Sequence, residues 1–310
     1  MTLERRKDTR SREWVVYAAL AANMGVCGAK FAAALISGSA ALLSEGIHSL
    51  ADSGNELLLL LGMHRSRKPP DTEHPYGYGK EQYFWSLIVA LLLFAAGGGT
   101  SIYEGVRRLL HPRVVHATQA NYWVLGVAFA FESGSLVFGL RQLRARHPNA
   151  SILLAMRRSK DPSVFTVVAE DMAAIAGLAV AFVGIALSDV LQVAWCDAVA
   201  SICVGTILAF VALFLISESR KLLVGESGSR NLVDDVRRLA DEDANVRRVG
   251  DALTMQLGAE EVLLNLDVQF RSELSARELP DAIQRLEDRI RKAHPEITRI
   301  FVEVSTLAPR

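Results

Sequence analysis

Six stretches of this chain are long and apolar enough to cross a membrane, and no other feature limits its fold so strongly. A helix spanning the hydrocarbon core needs about 20 mostly apolar residues. Windows at 14–36, 39–62, 83–106, 121–140, 164–187 and 194–217 meet that length. Backbone polar groups in hydrocarbon must be satisfied within the segment, so these windows read as helices of a bundle. Of the 310 residues 51% are hydrophobic and 22% charged. The two kinds are segregated: apolar runs fill 14–216, while Arg, Asp and Glu dominate from 220 onward. The expectation is an α-helical membrane protein with a basic tail (1–13), a six-helix transmembrane domain (14–222) and a soluble C-terminal domain (223–310).

Lys and Arg in the loops set the orientation. Fifteen lie in the N-terminal tail, the second loop and the fourth loop; the opposite loops carry three, Arg107, Arg108 and Arg113. Both termini are therefore expected in the cytoplasm. The basic N-terminus lacks a following cleavage-site pattern, so the first apolar window reads as a retained helix. Cys27, Cys196 and Cys203 fall in apolar runs without CxxC spacing. They read as buried small residues rather than disulfide or metal cysteines. A balanced net charge gives no sign of nucleic-acid binding.

The C-terminal part has soluble patterning. Asn231–Ala244 reads as an amphipathic helix with Leu232, Val236 and Leu239 on one face, and 249–257 as a strand. Glu261–Phe270 alternates Val262, Leu264, Leu266, Val268 and Phe270 with Asn265, Asp267 and Gln269, the period of a half-buried strand. Ser275 and Glu278 form a capping-box pattern opening a helix to about His294, and Ile300, Val302 and Val304 mark a last strand. The order αββαβ predicts a small ferredoxin-like α+β domain.

Inside the spans, polar residues demand explanation, because a charged side chain at mid-bilayer costs roughly 2.5–3.5 kcal/mol on insertion. His48 and Asp52 are i and i+4 and share a helix face, with Glu45 and Asn55 along the same stripe. Imidazole and carboxylate one turn apart offer two N/O ligands to one ion; the plainer reading is a helix–helix hydrogen bond. A second cluster, Glu170-Asp171, interrupts the fifth window. Adjacent acids point about 100° apart on a helix, so one faces the site and the other lines a water path or pairs with a cation such as Lys30. Facing helices with inward ligands build bundle metal sites. His48, Asp52 and Asp171, with Glu170 as a fourth candidate, form an N/O set. Metal binding to such a set releases protons, so a site opened alternately to two sides would exchange M²⁺ for H⁺.

These residues resemble the cation diffusion facilitator (zinc transporter) family. SAALLSEGIHSLADSGNE, the loop DTEHPYGYGKEQ, WCDAVASICVG and LLVGES follow its motifs in order over about 14–305. The resemblance implies a homodimer exchanging Zn²⁺ or a related ion for protons, with two ligands on the second span and two on the fifth. His48 and Asp52 match the first pair and Asp171 the second member of the later pair. The usual first fifth-span ligand falls on Val167, with Glu170 one residue before Asp171. That pattern is similar to the mitochondrial-type zinc transporter branch and its bacterial relatives. Tyr78 stands where many members have a histidine that helps bind a second ion; Asp71 and His74 are nearby, but a loop site is not favoured. The tail lacks the family's histidine clusters and is expected to dimerise without zinc.

The other polar residues have plainer readings. Lys30 and Glu132 read as an intramembrane pair or partners of other buried acids, and second as lining an ion path. Glu45 and Glu56 sit near the two ends of the stripe. Asp197 reads as the cap of its own helix, Gly97–Gly99 as a close-packing point, Lys80 as an anchor to Glu226, and Tyr76, Tyr78, Tyr83, Phe84 and Trp85 as an interfacial belt. The expectation is therefore a non-enzymatic, proton-coupled exporter of a divalent cation, Zn²⁺ first and Mn²⁺, Fe²⁺ or Co²⁺ next. The ion is substrate, no cofactor is implied, and the setting is the bacterial inner membrane. The alternative is a non-transporting partner subunit or metal sensor. A membrane hydrolase ranks last, since no motif supplies a positioned base.

Overall fold

The structure is a computed structural model that describes residues 23–111, 119–146, 148, 150–193 and 195–304. The predicted basic tail and the first nine residues of the first span lie outside the described residues. Helix α1 covers 23–37 and α2 Ala40–Ser66. Then come α3 Glu81–Leu92, a π-helical stretch Leu93–Gly99 and α4 Thr100–Leu110. α5 covers Gln119–Arg146, α6 Ile152–Arg158, α7 Pro162–Leu191 and α8 Trp195–Val224. The C-terminal part has α9 Arg230–Asp241, β1 Val246–Gly258, β2 Glu261–Phe270, α10 Leu279–Ala293 and β3 Ile297–Val304. The chain divides into two units, the first comprising residues up to 62, 84–159 and 163–219, the second 63–83, 160–162 and the residues from 220 onward.

Four helical segments among the described residues are long and apolar enough to cross a membrane: Glu81–Leu110, Asn121–Ala145, Pro162–Leu191 and Trp195–Val224. The first unit packs on small residues. Ala33 and Ala34 of α1, Ala41 and Leu42 of α2, Leu125 and Ala128 of α5, Leu178, Ala181 and Ile185 of α7 and Ala200 of α8 form one buried cluster. Small side chains let helix backbones approach closely, which is how helices associate where lipid is as apolar as protein. The expected packing role of Gly97–Gly99 holds for Gly98, where a Cβ would lie 3.1 Å from the Gly205 carbonyl oxygen on α8. Cys27 and Cys196 are buried as expected, whereas Cys203 is exposed.

Gly38 (φ 72°) ends α1, since a left-handed residue breaks the helix at low cost only as glycine. Ser39 then caps α2, its Oγ accepting from the Leu42 amide at 3.1 Å. Asp197 of α8 completes this cap. Its carboxylate accepts from Ser39 Oγ at 2.5 Å, the Ala40 amide at 2.6 Å and the Ala41 amide at 3.3 Å. The expectation that Asp197 caps its own helix is thus corrected: it serves the first-turn donors of α2.

In the second unit, β1 pairs antiparallel with β2 and β2 parallel with β3, in the order β1-β2-β3. Val262, Leu264, Leu266 and Val268 point from β2 into a core shared with Leu232 and Val236 of α9 and Leu286 and Ile290 of α10. The helix expected from Ser275 begins later, at Leu279, with Pro280 in its first turn. Ser275 and Glu278 do interact, Glu278 Oε2 accepting from the Ser275 amide (3.0 Å) and hydroxyl (2.7 Å), but they close a preceding turn. Lys80 donates to the Leu223 carbonyl at 3.4 Å, and Glu226 pairs with Lys160 at 3.1 Å in place of the expected Lys80. Tyr83, expected in an interfacial belt, is fully buried.

Candidate metal-transport site

The polar stripe of α2 runs along one face of an otherwise apolar helix. His48 Nδ1 lies 3.3 Å from Asp52 Oδ1, the i, i+4 approach expected on one helical face. Two turns on from His48, Asn55 Nδ2 donates to Glu170 Oε1 of α7 at 2.7 Å. The adjacent Asp171 is hydrogen-bonded to Ser135 of α5. The two acids of α7 therefore diverge, Glu170 toward α2 and Asp171 toward α5, as their 100° separation requires.

Asp52, Glu170 and Asp171 line one cavity of about 490 Å³, together with Glu56 of α2, Glu132 of α5 and Asn23 of α1. None of its described lining residues is basic. Lys30, which reads as a partner of Glu132, instead donates to Glu45 Oε2 at 3.2 Å and Ser49 Oγ at 2.7 Å, with Lys30 and Glu45 both fully buried. The alternative expectation, that Lys30 partners another buried acid, is the one that holds. Glu56, at one end of the stripe, accepts from Asn23 Nδ2 at 2.7 Å.

His48 is fully buried but does not line the cavity. Both of its ring nitrogens, Asp52 Oδ1 and Asp171 Oδ2 are buried without a hydrogen-bond partner. Among the described residues no three His, Cys, Asp or Glu side chains are gathered closely enough to hold a metal ion. The geometry thus brings Asp52, Glu170 and Asp171 to one cavity, with His48 on its α2 side. Carboxylates crowded in a low-dielectric surrounding require compensation by a cation or by protons. Imidazole nitrogens and carboxylate oxygens free of hydrogen bonds are the donor types that borderline divalent ions take.

Two cavity residues have plain sequence signals. Glu56 lies four residues after Asp52, on the same face of α2. Glu132 lies three residues before Ser135, so one face of α5 presents both.

Outside the spans, the loop before α3 is closed by hydrogen bonds. Asp71 Oδ2 accepts from the Tyr78 hydroxyl at 2.6 Å and Lys68 Nζ at 3.3 Å, while its Oδ1 accepts from the amides of Glu73 at 3.1 Å and His74 at 2.8 Å. The Tyr78 hydroxyl, then the His74 amide, hold the Asp71 carboxyl well below the usual carboxylate range. The same hydroxyl and Asp71 push the Lys68 ammonium up. In the tail, His294 caps the C-terminus of α10, its Nδ1 3.5 Å from Glu296 Oε1.

Buried carboxylates in a helical membrane unit define a cation-handling membrane protein, and comparison with known proteins gives its family. Residues 16–224 match the cation efflux transmembrane domain. The chain belongs to the cation efflux, or cation diffusion facilitator, family and resembles its mitochondrial branch. It is 33% identical over 282 residues to the mitochondrial proton-coupled zinc antiporter SLC30A9 of Homo sapiens, covering 88% of this chain and 50% of that protein. It is 31% identical to metal tolerance protein C4 of Arabidopsis thaliana, covering 84% of this chain and 57% of that protein. The manganese efflux system protein MneP of Bacillus subtilis is 22% identical, with 98% of both chains covered. The chain spans about half the length of its human and plant relatives.

Proposed function

We propose that this protein is a proton-coupled exporter of a divalent cation, Zn²⁺ first, working by alternating access. The observation that carries the reading is the shared cavity. Asp52 of α2 and Glu170 and Asp171 of α7 line it, Asp52 and Asp171 each with a buried carboxylate oxygen that has no hydrogen-bond partner, and His48 stands one turn from Asp52. Zn²⁺ takes imidazole nitrogen and carboxylate oxygen together. A cation entering such a group displaces protons, so its outward passage is exchanged for protons moving in. The name of the human relative, a proton-coupled zinc antiporter, supports the same ion and coupling. That of the Bacillus relative keeps Mn²⁺ as second candidate, with Fe²⁺ and Co²⁺ after it.

In this reading His48, Asp52 and Asp171 are ligands and Glu170 is the fourth. The transport domain, 14–222, has six spans, α1 and α2 joining the four apolar helices. The tail, 223–310, is a cytoplasmic, ferredoxin-like dimerisation domain, both termini are cytoplasmic, and the bacterial inner membrane is the setting. A partner subunit or sensor is the second reading; what favours it is that His48 does not line the cavity and that no three donors converge among the described residues. Metal-driven proton flux in proteoliposomes, comparing Zn²⁺ with Mn²⁺ for wild type and Asp52→Ala, separates the readings. An exporter gives flux that Asp52→Ala abolishes; unchanged flux in the variant sinks the site, and no flux in wild type leaves the partner reading.

A further inference from the structure

Glu132 has no role in the site as read from the second and fifth spans, yet it lines the same cavity. We infer that Glu132 is a further ligand for the transported cation, supplying from α5 the carboxylate that α7 lacks at Val167. The inference rests on reading this cavity as the transport site.

Four observations carry it. Glu132 lines the cavity together with Asp52, Glu170, Asp171 and Val167 itself, so its carboxylate and the apolar gap at Val167 share one space. It makes no hydrogen bond or ion pair with any described residue, and the intramembrane ammonium that would neutralise it, Lys30, is held by Glu45 and Ser49. Asp171, more than nine-tenths buried (8% exposed) and lining the same cavity, has an Oδ2 atom without a partner, so the cavity holds unmet acceptor capacity beyond Glu132. One turn on from Glu132, Ser135 is hydrogen-bonded to Asp171, which brings this face of α5 against the ligand-bearing face of α7. A carboxylate in a membrane span is costly unless compensated, and Lys30, though near enough to act on Glu132 through space, gives its hydrogen bonds to Glu45 and Ser49. The three carboxylates line one cavity without converging in this structure, and a divalent cation entering that cavity would draw Asp52, Glu132 and Asp171 together and satisfy all three. With Glu132 the set is richer in oxygen, and oxygen donors suit the harder ions of the divalent series.

The test measures KM for Zn²⁺ uptake by full-length protein in proteoliposomes. Glu132→Gln, close to isosteric, is expected to raise KM at least tenfold. Adding Val167→Asp to that variant is expected to lower KM again at least threefold, because a carboxylate returns to the same space from α7. A purely structural role for Glu132 would not be rescued from another helix. The inference is overturned if Glu132→Gln keeps KM within twofold of wild type, or if the double variant is no better than the single. Should Glu132→Gln fail to fold, Glu132→Asp withdraws the charge by one methylene: a KM raised at least threefold supports the assignment and an unchanged one removes it. Asp52→Ala in the same series separates the two levels of the claim. If that variant is inactive while Glu132→Gln is unaffected, only Glu132 is lost. If Asp52→Ala transports normally, the site itself is misplaced.

Discussion

Tyr78 fills the loop before α3 with a hydroxyl where a histidine would be expected, and that hydroxyl both donates to Asp71 and accepts from Lys68 at 2.9 Å. With four donors on it, Asp71 has its acceptor positions taken by the protein itself. Because the folded-state carboxyl lies below its unfolded value, its contribution to loop order is complete above the ordinary carboxylate range and is lost as pH falls through the lowered midpoint. Tyr78→Phe removes the largest cause of that lowering. The Asp71 midpoint is then expected to move up toward an ordinary aspartate, so that loop order fails at a higher pH; a carboxylate titration followed by NMR reads both. An unmoved midpoint would mean that the backbone amides and Lys68 set it without the hydroxyl. At this scale the sequence was informative about neighbours on one helix and poor about partners across helices. His48 with Asp52, four residues apart in an apolar run, could be read directly. The partner of Lys30 could not be read from charge alone, since Glu45 and Glu132 are equally acidic. The turn at Gly38 decides it, because Lys30 and Glu45 lie about equally far on either side of that glycine and so meet when α1 folds back on α2.

Elements show the same division. β2 was legible to the residue, since alternation at period two over Glu261–Phe270 has no competing reading. α10 was misplaced at its start because the Ser275–Glu278 pair is compatible with a turn as well as a cap, and Pro280 fixes the first turn further on. Asp197 caps a helix, but its target lies on another helix, which local spacing does not reveal. Close packing of α8 against the α3–α4 segment is also a property of element pairs. A Cβ at Gly205 would sit 2.8 Å from the Gly98 carbonyl oxygen and 2.8 Å from the Ile102 amide nitrogen, and one at Gly105 would sit 2.8 Å from the Ala198 carbonyl oxygen. Backbone atoms cannot give way as side-chain tips can, so Gly205→Ala is expected to destabilise by roughly 1–3 kcal/mol, the usual cost of overpacking. Gly126, on α5, has nothing within 4 Å of such a Cβ, and Gly126→Ala is expected to be neutral or mildly stabilising through helix propensity. Thermal melting of the purified variants in detergent checks the contrast. Equal melting temperatures would show that α8 can move away from its neighbour without loss.

For the whole molecule, segregation of charge from apolar sequence separates a stretch expected in the membrane from one expected in water, because the two solvents demand opposite surfaces. α2 carries Glu45, His48, Asp52 and Glu56 and falls outside the four strongly apolar segments among the described residues. Self-association, left to expectation by the sequence, has a definite candidate surface in the tail. α9 and α10 contribute Val236, Leu286 and Ile290 to the core on one face of the sheet. On the opposite face Leu253, Asn265 and Phe301 form one row across β1, β2 and β3. Leu253 is 63% and Phe301 51% exposed, unusual for large apolar side chains on a small soluble unit. Burying a Leu or Phe side chain is worth about 1.5–3 kcal/mol each, and a twofold axis over this row would bury both residues of both copies, four side chains in all. The proposed homodimer is therefore expected to close through this face. Leu253→Glu with Phe301→Glu should convert the full-length protein to a monomer in light scattering, because four carboxylates would then meet across the axis. Tail folding should persist, since both residues point away from the core. A dimer that survives both substitutions would place the contact elsewhere, and monomeric protein that still exchanges Zn²⁺ for protons would show that each copy transports by itself.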